Sequence, residues 1–203
     1  AMGAADFEVV YMNRMDIPVF MDHSRQEMRV EYISMNCDFD EEGRRAMRSP
    51  APADHFIPAG DGDVFDLGGI HIEMYACPGH TPGSMVPLIR EDRILIPGDA
   101  CNWLTFMYMP EALPVPEYLE SLRTLKDQVD GDFDTVLFSH GNVDGQLSIL
   151  SDGIELCERI IDGTAPGTME FNFMEWKGTL AEPVNDDLMR PDGVLMNIIY
   201  KPF

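Results

Sequence analysis

The sequence has few basic residues. Only 14 lysines and arginines stand against 36 acidic residues among 203, so the formal net charge is −22 at pH 7. A chain of this charge repels phosphate backbones, and it has no basic arm, which argues against nucleic acid or an anionic membrane as its main partner. Runs of about 18 apolar residues are also absent, as is a targeting segment at the N-terminus. We therefore expect a cytoplasmic protein without nucleic-acid or membrane partners.

Cysteine is scarce as well, and no C-x-x-C pair occurs. The four cysteines are Cys37, Cys77, Cys101 and Cys157. Their wide spacing argues against a disulfide framework. A chain of 203 residues with 45% apolar content can bury a hydrophobic core and needs no disulfide bonds for stability. We expect reduced thiols in one ordinary domain.

Short apolar runs alternate with stretches of helical spacing. Strands are predicted at 7–11, 64–67, 70–76, 85–89, 93–96, 135–138, 169–176 and 194–200, and helices at 16–35, 117–129 and 146–162. Charge, proline and glycine mark 37–62 as an insertion or lid. The pattern predicts an α/β (α+β) fold with a mixed sheet, in a single domain spanning residues 1–203.

Three of these predicted strands lead into a side chain that can bind a metal. Their loops end in Cys77-Pro-Gly-His80, Pro97-Gly-Asp99 and Phe138-Ser-His140. A short glycine loop after a strand lets ligands converge, and imidazole and carboxylate suit zinc, iron or manganese. The other histidines, His23, His55 and His71, are expected to have structural roles.

These segments resemble a known family. Pro78-Gly-His-Thr-Pro-Gly-Ser84, Ile96-Pro-Gly-Asp99 and Phe138-Ser-His-Gly141 are similar, in this order, to the third, fourth and fifth motifs of the metallo-β-lactamase superfamily. His80 and Asp99 are 19 residues apart, and Asp99 and His140 are 41 apart, which also fits. The resemblance implies an αββα sandwich and a hydrolase of a small ester, thioester, lactone or amide. It extends to about residue 162, which implies that 163–203 is a closing segment.

The resemblance also implies a role for each residue. His80 would complete a first metal site, Asp99 would bridge two metal ions and be essential for catalysis, and His140 would ligate the second ion. Two zinc ions are implied, with iron or manganese as alternatives. Thr81 and Ser84 would orient the imidazole of His80 through hydrogen bonds or would contact substrate. Alternatively, their hydroxyls are ordinary parts of a turn.

The family's His-x-His-x-Asp-His motif, which should precede His80, is missing. Pro18-Val-Phe-Met-Asp-His23 matches it poorly, whereas Gly3-Ala-Ala-Asp-Phe7 resembles the stretch that follows it. One explanation is an N-terminally incomplete hydrolase whose upstream strands and motif lie before residue 1. Another is a degenerate, non-catalytic binding or assembly module of the same fold. A di-iron oxidoreductase relative is a third, but the chain has no room for a flavin domain.

Two expectations follow from the missing motif. Three ligands are too few for two metal ions, so metal binding by this chain should be weak or absent. Missing strands would leave an uncovered sheet edge, so a homodimer or a strand-exchanged oligomer is expected.

Overall fold

The computed structural model of the chain describes residues 2–35, 37–140, 144–173 and 176–201. It divides into two compact units, residues 1–59 and residues 60–203. Of the sequence motifs, Gly141 at the end of Phe138-Ser-His-Gly141 lies outside the described residues, as does Ala1.

The first unit is small and mostly helical. It contains 3₁₀ helices at Met2–Asp6 and Ala53–His55, strands β1 (Val10–Met12) and β2 (Phe56–Pro58), and helices α1 (Ile17–His23), α2 (Gln26–Ser34) and α3 (Glu41–Ala46). The two strands pair in parallel. A core of Ala4, Phe20, Ala51 and Phe56 lies within this unit, where the rings of Phe20 and Phe56 meet edge to face.

One prediction for the first unit needs correction, and the segment predicted to be an insertion or lid holds regular structure. The helix expected over 16–35 begins after Asp16 with Pro18 in its first turn, but it is broken at Ser24 and Arg25. The buried Ser24 hydroxyl donates to the Met21 carbonyl, and Arg25 is extended, so the helical hydrogen bonding restarts at α2. The 37–62 segment also contains regular structure, namely α3 and the strand β2, which pairs with β1 far earlier in the chain.

The second unit holds two sheets and two helices. One sheet has the order β3-β4-β5-β6-β8-β9 and the other the order β10-β11-β12-β7. The strands are β3 (Val64–Asp66), β4 (His71–Ala76), β5 (Met85–Ile89), β6 (Ile94–Leu95), β7 (Thr105–Met107), β8 (Thr135–Leu137), β9 (Asp144–Gly145), β10 (Met169–Phe173), β11 (Trp176–Leu180) and β12 (Ile198–Tyr200). The pairs β6–β8 and β12–β7 are parallel and the others antiparallel, which confirms the predicted mixed α/β fold.

The helices α4 (Val115–Val129) and α5 (Ile149–Ile161) pack against each other and supply much of the core. Leu122, Leu125 and Val129 are fully buried at the predicted helical spacing, and they share one core with Leu88 and Leu95 of the six-stranded sheet. Helix α5 ends as predicted at Gly163, whose φ of +70° suits glycine.

The C-terminal strands differ from the prediction. The single strand expected at 169–176 is two antiparallel strands, β10 and β11, and residues 174 and 175 of that prediction lie outside the described residues. Strand β12 is shorter than the predicted 194–200. The sequence does not predict strand β7, because its three residues pair with β12 more than 90 positions later in the chain. On β12, Ile198 joins the main core while Ile199 packs with Tyr108 and Leu180 in a second cluster, so both faces of this sheet are apolar.

Within the described residues, no helix is both long and apolar enough to cross a membrane.

The cysteines are free thiols, as expected, and three of them are fully buried. Burial raises the pKa of the Cys101 thiol to about 12 and holds the pKa values of Cys77 and Cys157 above their usual range. Cys37 is exposed.

We therefore predict that one thiol of the four reacts quickly with Ellman's reagent in the native protein, because the thiolate is the reactive form. All four should react in denaturant, and Cys37→Ser should remove the fast reaction. Rapid reaction of a second thiol without denaturant would contradict the buried positions of the other three.

Candidate metal centre

The three candidate ligands lie at one end of the six-stranded sheet. Strand β5 is antiparallel to both β4 and β6, and β6 is parallel to β8, so β4, β6 and β8 run in the same direction. The loops that leave their carboxyl ends carry His80, Asp99 and His140. The topology therefore gathers these three loops at one edge, which the strand-end pattern in the sequence anticipates.

A backbone carbonyl orients the His80 ring. Its Nδ1 lies 2.7 Å from the carbonyl oxygen of Phe106 on β7. A carbonyl only accepts hydrogen bonds, so Nδ1 carries a proton, and Nε2 is the ring nitrogen left to face a ligand. This arrangement is the one found behind histidines that bind metals through Nε2.

Thr81 and Ser84 close the turn that follows His80. Their hydroxyl oxygens are 2.7 Å apart, and the Thr81 amide donates to the Ser84 hydroxyl over 3.1 Å. The Ser84 carbonyl accepts from the amide of Cys77, so the turn is tied to the end of the preceding loop. These contacts favour the view that both hydroxyls shape the loop, while a role toward the imidazole or a substrate stays a prediction.

Asp99 and His140 contact each other directly. The Nε2 atom of His140 lies 3.0 Å from Oδ1 of Asp99, and the same oxygen is 3.3 Å from the hydroxyl of Ser139. Asp99 follows Gly98, whose φ of +55° makes the sharp turn after β6. The side chains of Asp99 and His140 are 46% and 66% exposed, so the pair is open to solvent.

Asn102, which the sequence motifs do not single out, supports this turn. It is buried, and its amide nitrogen lies 3.3 Å from the Gly98 carbonyl and 3.5 Å from Oδ1 of Asp99. Its own Oδ1 accepts from the amide of Leu104. An asparagine three residues after a Gly-Asp turn is the sequence signal for such a role.

The residues present do not form a complete metal site. Over 2–35, 37–140, 144–173 and 176–201, no group of three histidine, cysteine, aspartate or glutamate side chains could hold an ion. Asp99 and His140 come together as a pair, and His80 does not join them in such a group. Because a zinc site takes at least three protein ligands, we derive no catalytic step through a metal from this chain alone.

The other histidines make structural contacts. Nδ1 of His71 lies 2.6 Å from Glu91, and this hydrogen bond raises the pKa of His71. Nε2 of His55 lies 3.1 Å from the carbonyl of Ala4, and His23 lies in the last turn of α1. These placements agree with the structural roles expected for them.

Comparisons of the sequence with a family model and with curated proteins agree with each other. The model of the metallo-beta-lactamase superfamily matches residues 9–140. A probable metallo-hydrolase of Bacillus subtilis, YqgX, is 33% identical over 88 residues, which are 41% of this chain and 37% of that protein.

Solved structures show the same fold. A metallo-beta-lactamase family protein of Thermus thermophilus aligns with a TM-score of 0.51 at 13% identity, covering 80% of this chain and 57% of that one. An archaeal superfamily member from Sulfolobus tokodaii aligns with a TM-score of 0.51 at 18% identity, covering 82% and 62%. The chain thus spans less than two thirds of the length of each of these relatives.

Proposed function

We propose a function from one premise: this chain belongs to the metallo-β-lactamase superfamily. The proposed activity is metal-dependent hydrolysis of a small ester, thioester, lactone or amide. The Bacillus subtilis relative is itself described as a probable metallo-hydrolase. The excess of acidic residues supports a small-molecule substrate and argues against nucleic acid or a membrane as partner. The free cysteines support a cytoplasmic location.

The observation that carries the proposal is the contact between Asp99 and His140 at the sheet edge where His80 is also placed. In a site completed by further ligands, zinc, or iron or manganese in its place, would supply hydroxide near neutral pH and polarise the scissile carbonyl. The chain's own contribution is positional. Asp99 holds the His140 ring, and the Phe106 carbonyl holds His80 with Nε2 available.

We propose further that the 203-residue polypeptide binds metal weakly by itself, because its sequence has no His-x-His-x-Asp-His motif and its described residues form no three-ligand group. The protein, desalted after purification, should contain far less than one zinc per chain by plasma mass spectrometry. Stoichiometric zinc retained at micromolar protein concentration would contradict this prediction.

A non-catalytic binding or assembly module is the second candidate, and the absence of a three-ligand group among the described residues favours it. A panel of nitrophenyl ester, thioester, lactone and β-lactam substrates separates the two. Turnover that requires added zinc, manganese or iron supports the hydrolase, whereas no turnover at saturating metal supports the module.

Self-association is also proposed. Strand β3 is at the edge of the six-stranded sheet, and near it Val64 is 55% and Leu67 is 66% exposed. An exposed apolar edge strand is a template for pairing with a second copy of this chain. Light scattering on the purified protein measures whether it is a dimer.

A further inference from the structure

A groove in the first unit is lined by four arginines. It has a volume of about 340 Å³, and its polar lining includes Arg25, Arg29, Arg44 and Arg48 together with Ser49. Arg25 precedes α2, Arg29 lies on α2, and the others belong to α3 and the stretch after it. We call this feature the arginine groove.

This concentration of positive charge is unusual for the chain. Residues 1–59 contain six of the 14 basic residues, and four of those six line the arginine groove, although the whole chain carries −22. Guanidinium groups repel one another, so their convergence on one groove costs free energy unless negative charge is supplied.

The chain supplies only part of that negative charge. Arg25 pairs with Asp22 at 3.0 Å, and Arg48 pairs with Asp6. Arg29 donates to the backbone carbonyl of Arg48 over 2.8 Å, which brings two arginines together without a carboxylate.

Arg44 is the fourth arginine. It is exposed and makes no ion pair with any residue that the structure describes. Arg29 and Arg44 therefore form no ion pair among the described residues, and Arg44 also lines a neighbouring groove that contains Glu27 and Glu31.

Further hydrogen-bond donors lie along the arginine groove. Gln26, the first residue of α2, lines it, and within the described part of the chain the Arg25 side chain makes no capping hydrogen bond to this helix. The positive end of the α2 dipole thus adds to the arginine charges.

We infer that the arginine groove binds a small molecule bearing phosphate, of the diphosphate or phosphate-ester class. The fork of a guanidinium group matches phosphate oxygens with two parallel hydrogen bonds. The groove volume is at the lower end of the range for small-molecule sites, about 300–1,000 Å³. This site lies wholly within residues 1–59 and is independent of the proposed hydrolase function.

Calorimetric titration of the full chain with inorganic pyrophosphate, after treatment with EDTA, tests the inference. We expect saturable binding that weakens as sodium chloride rises from about 0.05 M to about 0.5 M, because salt screens exposed charge. Arg44→Gln should weaken binding about tenfold, the effect of losing one charge-assisted hydrogen bond.

Arg45→Gln is the matched control, since Arg45 is the neighbouring exposed residue on α3 and does not line the arginine groove. It should leave pyrophosphate binding unchanged, and circular dichroism should show both variants folded. Absence of saturable binding would overturn the inference, as would equal weakening by the two variants. Citrate binding as tight as pyrophosphate binding would overturn the assignment to phosphate.

Discussion

On the proposed function, Asp99→Ala is expected to lower the weak affinity of the chain for added zinc by about tenfold or more and to remove any metal-dependent turnover of the substrate panel. The Asp99 carboxylate is the centre of the contacts at the candidate site. It accepts from Ser139, and it lies 3.0 Å from Nε2 of His140. Alanine removes one candidate ligand and releases a second. Calorimetric titration with zinc measures the first effect and the substrate panel measures the second.

A purely structural role for Asp99 predicts a different result. The ion pair with His140 is largely exposed, and exposed ion pairs contribute at most about 1 kcal/mol to stability. The free energy of unfolding should therefore change little in Asp99→Ala. Asp92→Ala, which removes an exposed carboxylate from the turn between β5 and β6, is the control for lost charge. Zinc affinity within about threefold of the original protein would show that Asp99 is not a ligand.

The sequence predicts the loops that carry the candidate ligands better than the elements around them. The strands before His80, Asp99 and His140 are short apolar runs that end at proline, glycine or serine. The bounds of these strands can therefore be predicted from neighbouring residues alone. Their common direction follows once the hairpin between β5 and β6 is recognised from its polar turn at 90–93.

Contacts distant in sequence are not predictable in the same way. The carbonyl that orients the ring of His80 belongs to Phe106 on β7, a strand that exists because it pairs with β12. No local pattern in residues 105–107 signals a partner at 198–200. The paired strands β10 and β11 resemble one strand in the sequence for a related reason, since apolar residues recur along the whole stretch 169–176.

The three candidate ligands differ in how closely the structure brings them together. The family resemblance places three candidate ligands at one centre, and the structure joins two of them. In a complete site the ions themselves hold the side chains, and the missing motif would supply further ligands. In the described structure Asp99 and His140 contact each other directly, with Nε2 of His140 3.0 Å from Oδ1 of Asp99.

Gly79→Ala is expected to lower the free energy of unfolding by about 3 kcal/mol and to disturb the loop that carries His80. A Cβ atom at Gly79 would lie 2.8 Å from Cε2 of Tyr118 and closer still to Cδ2. Tyr118 is fully buried, and its hydroxyl donates to the carbonyl of Ala100 over 2.7 Å, so the ring has little room to move. Because Ala100 follows Asp99, Tyr118 links the His80 loop to the Asp99 loop. A shift of either group would change the geometry of both.

Denaturant unfolding measures the stability, with Gly60→Ala as the matched control, since a Cβ at Gly60 meets nothing within 4 Å. Gly60→Ala should change the free energy of unfolding by less than about 1 kcal/mol. If contact with the ring causes the loss, Gly79→Ala should cost less in a Tyr118→Leu background, where the side chain is smaller and more flexible. An equal loss in both backgrounds would place the strain in the backbone of the Pro78-Gly-His80 turn rather than in its packing against α4.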